Sequence, residues 1–247
     1  MKNNRAFYIT LIVVVALFVG AIVFIPQLSK NTGSEETEIS DVDVTDYKPT
    51  DIIPANADNG YIGEHVKGSK DAKVIIFEYA DYQCSACALF STWINELVEE
   101  YDGKLGVVFR VFPLTSIHTN AIAAASAVEA AGLQGYWQEY GDLLFANQAE
   151  WFYATGTKRT SYFVSYFKTL TNGNGDVDKF KADMASDAVK AKVAFDKSIA
   201  ESLNLQATPT FFDSEGKEID FTGEDVEQNK TGIMKFFRKF INKKLGE

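Results

Sequence analysis

The feature that most constrains the fold is a short apolar run that leads into two cysteines and then into a helical pattern. Residues 73–77 contain Val-Ile-Ile-Phe, a β-branched run typical of a strand covered on both faces. A second such run covers residues 105–112. Between them, apolar side chains recur at helical spacing, at Cys87, Phe90, Ile94, Leu97 and Tyr101. This order predicts a right-handed β-α-β unit whose helix begins at the cysteines.

The rest of the chain alternates between helical and extended patterns. Helical periodicity dominates from Asn120 to about residue 203, interrupted at glycines. Residues 210–212 and 219–221 flank a turn, which predicts a β-hairpin. The apolar face of a final helix is formed by Ile233, Phe236, Phe237, Phe240 and Ile241. We therefore expect one α/β domain over residues 61–247.

The N-terminal segment predicts insertion into a membrane. Residues 7–25 are 19 consecutive positions without a charge, close to the ~20 needed to cross a bilayer as a helix. Such a segment is either a membrane span or a signal sequence, and the residues after it make a poor cleavage site. Because Lys2 and Arg5 precede it, we expect residues 1–6 in the cytoplasm, a signal-anchor helix over 7–26 and an exported remainder.

The stretch after this segment is acidic. Residues 31–60 hold eight acidic side chains against one basic side chain, Lys48, and they lack an apolar period. This composition predicts a flexible linker over residues 27–60 that joins the membrane to the domain. The net charge of −10 excludes nucleic acid as a partner, since that affinity comes mainly from basic side chains.

The two cysteines, Cys84 and Cys87, are the only ones in the chain. Three residues apart on a helix, they lie on one face and can form a disulfide across four residues. A loop this short cannot stabilise the fold by much, so the pair is catalytic, metal-binding or incidental. Unpaired N–H groups and the dipole at the first turn favour a thiolate. We expect Cys84 to be the nucleophile and Cys87, deeper in the helix, to be the resolving thiol.

Zinc binding is an alternative role for these thiols. His65 and His118 complete a Cys2His2 count with Cys84 and Cys87. The two histidines lack the short spacing of such sites, which argues against a metal. Otherwise His65 is interpreted as a solvated loop residue and His118 as a polar residue at the start of a helix.

Two further positions are candidate site residues. Glu78 follows the first apolar run, six residues before Cys84. A carboxylate at the end of a buried strand has a raised pKa, which suits it to accept and return the proton of the inner thiol. A side chain that faces solvent is the other interpretation, and the pattern leaves both open. Thr208 and Pro209 stand before residues 210–212, where the pattern alone indicates only the entry of a strand.

Several segments together resemble a known family. Residues 77–87 have the sequence Phe-Glu-Tyr-Ala-Asp-Tyr-Gln-Cys-Ser-Ala-Cys, and residues 112–114 are Phe-Pro-Leu, followed by His118. With residues 121–135 and with Ala-Thr-Pro-Thr at 207–210, they resemble the DsbA-like, membrane-anchored thiol–disulfide oxidoreductases of bacteria, which belong to the thioredoxin superfamily. The resemblance extends from about residue 60 to residue 246.

The resemblance implies a fold and roles for individual residues. It implies an α/β thioredoxin fold with a helical insertion at about residues 117–184. It implies that Pro209 is cis and faces the cysteine pair, and that Thr208 offers its backbone to a bound polypeptide by strand addition. It also favours Glu78 as the buried proton acceptor.

The expected activity is oxidation of cysteine pairs in exported proteins by a monomer whose redox-active disulfide, Cys84–Cys87, is its only redox group. Reoxidation requires a membrane redox partner or a small-molecule oxidant. One departure from the family bears on direction: Ser85 and Ala86 replace the Pro and His found in strong oxidants, where that His stabilises the reduced thiolate. A reductase or isomerase is therefore the first alternative, and a non-catalytic polypeptide-binding or zinc module is the second.

Overall fold

A four-stranded mixed sheet forms the centre of the computed structural model, which describes residues 39–223 and 225–247. Its strands are β1 (His65–Gly68), β2 (Val74–Ala80), β3 (Leu105–Val111) and β4 (Thr210–Asp213), in the spatial order β1-β3-β2-β4. β2 and β3 are parallel and are joined by helix α1 (Ser85–Glu100), whereas β1 and β4 are antiparallel to their neighbours. The predicted β-α-β unit is therefore present. Strand β1 was not predicted, because its four residues carry no apolar run.

Helices fill the chain between β3 and β4. Five of them lie in the region where the resemblance implies an insertion, and two more lie nearer the C-terminus. The five are α2 (Ala121–Gly132), α3 (Trp137–Ala146), α4 (Gln148–Trp151), α5 (Gly156–Leu170) and α6 (Val177–Met184), and the other two are α7 (Asp187–Ser202) and α8 (Lys230–Leu245). Aromatic side chains of the insertion, among them Trp151, Phe163 and Phe167, are buried in a hydrophobic cluster that the insertion shares with Phe109 of β3 and with both cysteines.

The alternation of side chains along β2 explains how the layers form. Ile76 packs with residues of α1 and α8 on one face of the sheet. Phe77 and Tyr79 point to the other face and pack with Phe195 of α7. Glu78 follows the same alternation as Ile76 and therefore lies on the α1 face, in the interior of the domain.

The structure corrects the prediction of a flexible linker over residues 27–60. Residues 27–38 lie outside the described part, but residues 39–60 pack against the domain, with Val44 and Ile53 buried beside the α7 face of the sheet. The backbone of this segment also accepts hydrogen bonds from the buried guanidinium of Arg110. Isolated apolar residues and backbone carbonyls produce no periodic pattern, which is why the sequence did not indicate this packing.

The predicted β-hairpin forms only in part. β4 pairs with β2, but the predicted second arm at residues 219–221 forms no strand with β4. The two arms pair only at an isolated bridge between Phe212 and Glu218. The Asp213 carboxylate holds the turn by accepting two backbone N–H groups. Beyond the turn, the ring of Phe221 packs against Phe211, so the second arm contributes to the core instead of extending the sheet.

The predicted signal-anchor helix at residues 7–26 lies outside the described residues. Within residues 39–223 and 225–247, no helix is both long and apolar enough to span a bilayer.

Candidate active site

The two cysteines lie at the N-terminus of α1. Cys84 is the N-cap residue, with extended backbone (φ −76°, ψ 123°), and its Sγ accepts the backbone N–H of Cys87 at 3.4 Å. The first turn of α1 contains no acidic side chain that would oppose an anion there. Hydrogen bonding, chiefly from the Cys87 side chain, lowers the pKa of Cys84 to about 6. Cys84 is therefore a thiolate at neutral pH.

Cys87 lies deeper, with none of its surface exposed, against 8% for Cys84. Burial raises the pKa of Cys87 well above its ordinary value, and the hydrogen bond and charge of Cys84 raise it further. Both cysteines are free thiols in the structure. The pair is therefore asymmetric, with an outer sulfur that ionises easily and an inner sulfur that keeps its proton.

The loop before β4 faces this pair. The peptide bond between Thr208 and Pro209 is cis. The carbonyl oxygen of Thr208 lies 3.4 Å from Sγ of Cys84. The structure thus brings together two segments that are 124 residues apart in the chain.

Glu78 lies beneath α1 and is 1% exposed, so the interpretation that it faces solvent is wrong. Its Oε2 has no hydrogen-bond partner among the described residues. Burial raises the pKa of this carboxyl to about 7; the positive charge of Lys67 opposes the rise, and the negative charge of Asp142 adds to it. A group that titrates near neutral pH can both accept and release a proton there.

A polar network connects this region to the helical insertion. Nζ of Lys67 donates to Oδ1 of Asn95 at 2.8 Å and to Oδ1 of Asp142 at 3.3 Å. Asp142, on α3, also accepts from Ser91 and from Asn95, and its side chain is about one-third exposed at 33%. Neither Lys67 nor Asp142 is predicted from the sequence, because the two lie 75 positions apart and no local pattern relates them.

His118 lies next to the loop that precedes the cysteines. Its Nδ1 is 2.7 Å from Oδ2 of Asp81, whose side chain is fully buried. The hydrogen bond with Asp81 raises the pKa of His118, and the charges of Asp81 and Cys84 add to the rise. The ring of Phe152 packs edge-on against the imidazole, with 6.2 Å between centroids.

His65 is engaged elsewhere. It lies on β1 and not in a loop, its Nε2 is 2.8 Å from Oε2 of Glu129, and its ring stacks on Trp137 at 4.4 Å. Across the described part of the chain, no group of three or more His, Cys, Asp or Glu side chains is arranged to hold a metal ion. The Cys2His2 set considered from the sequence is therefore not assembled there.

Side chains of the insertion and of the active-site loop are joined by hydrogen bonds. Gln83 donates to the carbonyl of Phe152 and accepts the backbone N–H of Asn120. Gln148 donates to the carbonyl of Cys84 at 3.1 Å. The helical insertion thereby helps to position the N-terminus of α1.

Comparisons with known proteins agree with this geometry. The family model described as Thioredoxin matches residues 61–228. The Na(+)/H(+) antiporter NhaA 3 of Salinispora tropica is 33% identical over 161 residues, which are 65% of this chain and 22% of that protein. The chain thus spans only about a fifth of the length of the curated relatives it matches.

Solved structures resemble the fold over most of the chain. BdbD from Bacillus subtilis, in its oxidised form, has a TM-score of 0.59 at 18% identity and covers 84% of this chain and 100% of its own. The alpha-DsbA1 protein of Wolbachia pipientis has a TM-score of 0.56 at 24% identity and covers 74% of this chain and 91% of its own. At these identities the likeness shows the fold.

Proposed function

The chain belongs to the thioredoxin family, and on that premise we propose that it is a DsbA-like enzyme that oxidises cysteine pairs of exported proteins outside the cytoplasm. The predicted α/β thioredoxin fold is confirmed by the same comparisons. The observation that carries the proposal is the asymmetry of the thiols. The pKa of Cys84 is about 6, whereas burial holds the pKa of Cys87 well above its ordinary value.

The exchange starts from the oxidised pair. A substrate thiolate attacks Sγ of Cys84, a mixed disulfide forms, and the Cys84–Cys87 bond breaks with its electron pair on Cys87. A second substrate thiolate then attacks the substrate sulfur of the mixed disulfide, and Cys84 leaves as a thiolate. The substrate gains a disulfide and loses two electrons, which remain on the reduced pair. A membrane quinone-linked partner or a small-molecule oxidant must take up these electrons.

Glu78 is proposed to move the proton of the inner sulfur. When Cys87 leaves as a thiolate in a fully buried position, it needs a proton at once, because an unpaired buried charge is costly. The carboxyl of Glu78 has a pKa of about 7 and lies on the face of the sheet that α1, the helix of Cys87, covers. It can therefore deliver this proton and take it back on reoxidation.

Thr208 and Pro209 are proposed to hold the substrate chain. The Thr208 carbonyl already lies 3.4 Å from Cys84, so a polypeptide whose sulfur reaches Cys84 must pass along this loop. Strand addition through backbone groups would give affinity with little sequence selection. This suits an enzyme that acts on many cysteine-containing clients.

The low pKa of Cys84 supports the oxidising direction of exchange. A lower thiol pKa stabilises the reduced form, and the more stable that form is, the stronger the oxidant. We further propose that the enzyme works as a monomer held at the membrane by residues 7–26, with no metal or organic cofactor.

The reduction potential tests the direction. Equilibration of the purified protein with glutathione buffers should give a value that is more oxidising than the roughly −270 mV of thioredoxin and is shifted towards about −120 mV, the range of a strong oxidant. A value of about −270 mV, the range of thioredoxin, would overturn the proposed oxidase role and favour a reductase on the same scaffold.

A trapping experiment tests the enzymatic role itself. In Cys87→Ser, mixed disulfides on Cys84 cannot be resolved internally, so exported cysteine-containing proteins should accumulate on it in the native membrane. The double variant Cys84→Ser/Cys87→Ser is the matched control and should trap nothing. If the single variant trapped no more protein than the double variant, the chain would be a non-catalytic binding module and not an enzyme.

A further inference from the structure

We propose that His118, held by the buried carboxylate of Asp81, stabilises the Cys84 thiolate and so supplies the support that the dipeptide between the cysteines does not provide. This inference rests on the proposed function and names the residue that tunes it. Ser85 and Ala86 carry no charge. The structure therefore places the basic group outside the Cys-x-x-Cys segment, after β3.

Asp81 contacts Cys84 through its backbone. Its carbonyl accepts the N–H of Cys84 at 3.0 Å. A change in the position or charge of Asp81 therefore acts next to the residue that carries the outer sulfur.

The side chain of Asp81 fixes the loop but carries an unfavourable charge. Its Oδ1 accepts the backbone N–H of Gln83 at 2.7 Å, and its Oδ2 accepts the backbone N–H of Leu114 at 2.9 Å. The residue is 0% exposed, so water screens its negative charge poorly. A carboxylate in this position, three residues before Cys84, would by itself oppose formation of the thiolate.

His118 removes this opposition. Its Nδ1 lies 2.7 Å from Oδ2 of Asp81, and its side chain is only 14% exposed. The charged and titratable groups that act on it are Asp81, from the loop before α1, and Cys84, from α1 itself, and both favour the imidazolium. Coupling between two sites is reciprocal, so protonated His118 must favour the Cys84 thiolate by the same factor.

Titration of His118 in the unmodified protein tests this coupling directly. The chain contains only two histidines, so their imidazole proton signals can be assigned by NMR with one His65→Gln sample. Oxidation to the disulfide removes the charge of Cys84. We expect the pKa of His118 to be higher in the reduced protein than in the oxidised protein. Equal values in the two states would overturn the proposal.

Substitution provides the second measurement. His118→Gln can still donate a hydrogen bond to Asp81 but cannot carry a charge. At a fixed pH near 6, we expect the ratio of Cys84 thiolate to thiol, followed by absorbance at 240 nm, to fall about three- to tenfold. The equilibrium constant with glutathione should change by the same factor, where tenfold corresponds to about 30 mV towards a weaker oxidant.

The matched control is His65→Gln, which removes the other histidine–carboxylate pair, that of His65 with Glu129. This variant should leave the Cys84 titration unchanged. If His118→Gln folds and also leaves it unchanged, the proposal is wrong, even if the wild-type protein is a strong oxidant. If instead the wild-type thiol titrates near its ordinary pKa and exchanges no disulfide, it is the proposed function that fails.

Discussion

The two faces of the sheet bury charged groups in different ways. On the α7 face, Nε of Arg110 is 3.0 Å from Oε1 of Glu64, and Nζ of Lys192 is 2.7 Å from Oδ1 of Asp196. Oε2 of Glu64 and Oε2 of Glu78, which lies on the α1 face, both lack a hydrogen-bond partner among the described residues, but Nζ of Lys192 lies 3.8 Å from that of Glu64. Each buried charge on the α7 face has an opposite charge in contact, whereas Glu78 does not.

This difference separates structural from chemical roles. Burial alone would lower the pKa of Arg110 and of Lys192, but their acidic neighbours, with Tyr79 also acting on Arg110, raise both, so these cations stay charged and hold their partners in place. Glu78 has no such partner, and its proton is exchangeable near pH 7. On these two faces, the paired charges of Arg110 and Lys192 support the fold, whereas the unpaired carboxyl of Glu78 is available for proton transfer.

The buried ion pairs on the α7 face, formed by Glu64, Arg110, Lys192 and Asp196, are called the paired cluster. Removing one of its members should have the largest effect on stability. Arg110→Met leaves the buried Glu64 with only the longer contact to Nζ of Lys192 at 3.8 Å, and it removes the guanidinium donors from the carbonyls of Pro49 and Asp51. We expect a loss of about 3–5 kcal/mol in the free energy of unfolding. Urea denaturation of the reduced protein, followed by tryptophan fluorescence, measures it.

The control for this prediction is Arg238→Met on the surface. Arg238 pairs with Glu100, and both side chains are 42% exposed, so its loss should cost less than about 1 kcal/mol. A cost for Arg110→Met no greater than that of the control would show that the paired cluster contributes little. It would also remove the distinction between the two faces.

Glu78→Gln should have a smaller effect, and one of opposite sign at alkaline pH. The folded-state pKa is about 7, above the value of 4.5 that the carboxyl has when unperturbed. The folded state thus binds this proton more tightly, and its contribution to stability is present below pH 4.5 and is lost as the pH rises through 7. The loss amounts to about 3 kcal/mol, which the variant does not suffer.

The measurement is urea denaturation of both proteins between pH 4.5 and 8. The difference should be near zero at the acidic end and should favour Glu78→Gln increasingly with pH. Asp196, whose pKa burial raises to about 6, titrates in both proteins and cancels in the difference. Parallel stability curves would mean that Glu78 ionises normally, and the contrast with the paired cluster would disappear.

The sequence predicted the parts of this molecule that depend on local patterns. The apolar run of β2, the helical period after Cys87 and the start of that helix at the cysteines all lie within about 30 residues, and the structure contains all three. Helix geometry alone predicts that Cys87 is the more buried thiol, and in the structure Cys87 is fully buried whereas Cys84 is 8% exposed.

The parts that were missed depend on contacts between distant segments. Lys67 and Asp142 meet across 75 positions, and Arg110 reaches Pro49 across 61. Neither contact follows from periodicity, because single polar side chains and backbone carbonyls form no repeating pattern. For this reason the sequence wrongly predicts a flexible linker at residues 39–60, and periodicity alone does not decide whether Glu78 is buried.

The smallest expected effect concerns Asp142, the partly exposed partner of Lys67 whose negative charge acts on Glu78. Asp142→Asn keeps acceptor capacity for Ser91 and Lys67 but removes the negative charge that raises the pKa of Glu78. The positive charge of Lys67 then acts unopposed, and the carboxyl becomes more acidic. If Glu78 takes the proton of Cys87, the acid limb of the rate at which Cys87 resolves a glutathione mixed disulfide on Cys84 should move to lower pH, by less than about one unit.

Three proteins distinguish the outcomes of this rate measurement. Glu78→Gln should lack the limb and lose about 10²-fold in rate above pH 7, because no carboxylate accepts the proton. Asp178→Asn is the control, since Asp178 contacts Lys181 at 3.4 Å but is 96% exposed, and it should leave the profile in place. If the acid limb stayed at the same pH in Asp142→Asn but disappeared in Glu78→Gln, Glu78 would still be the proton acceptor. Asp142 would then have no influence on the pKa of Glu78. An unchanged profile in Glu78→Gln would mean that the unpaired carboxyl, like the paired cluster on the opposite face, has no part in proton transfer.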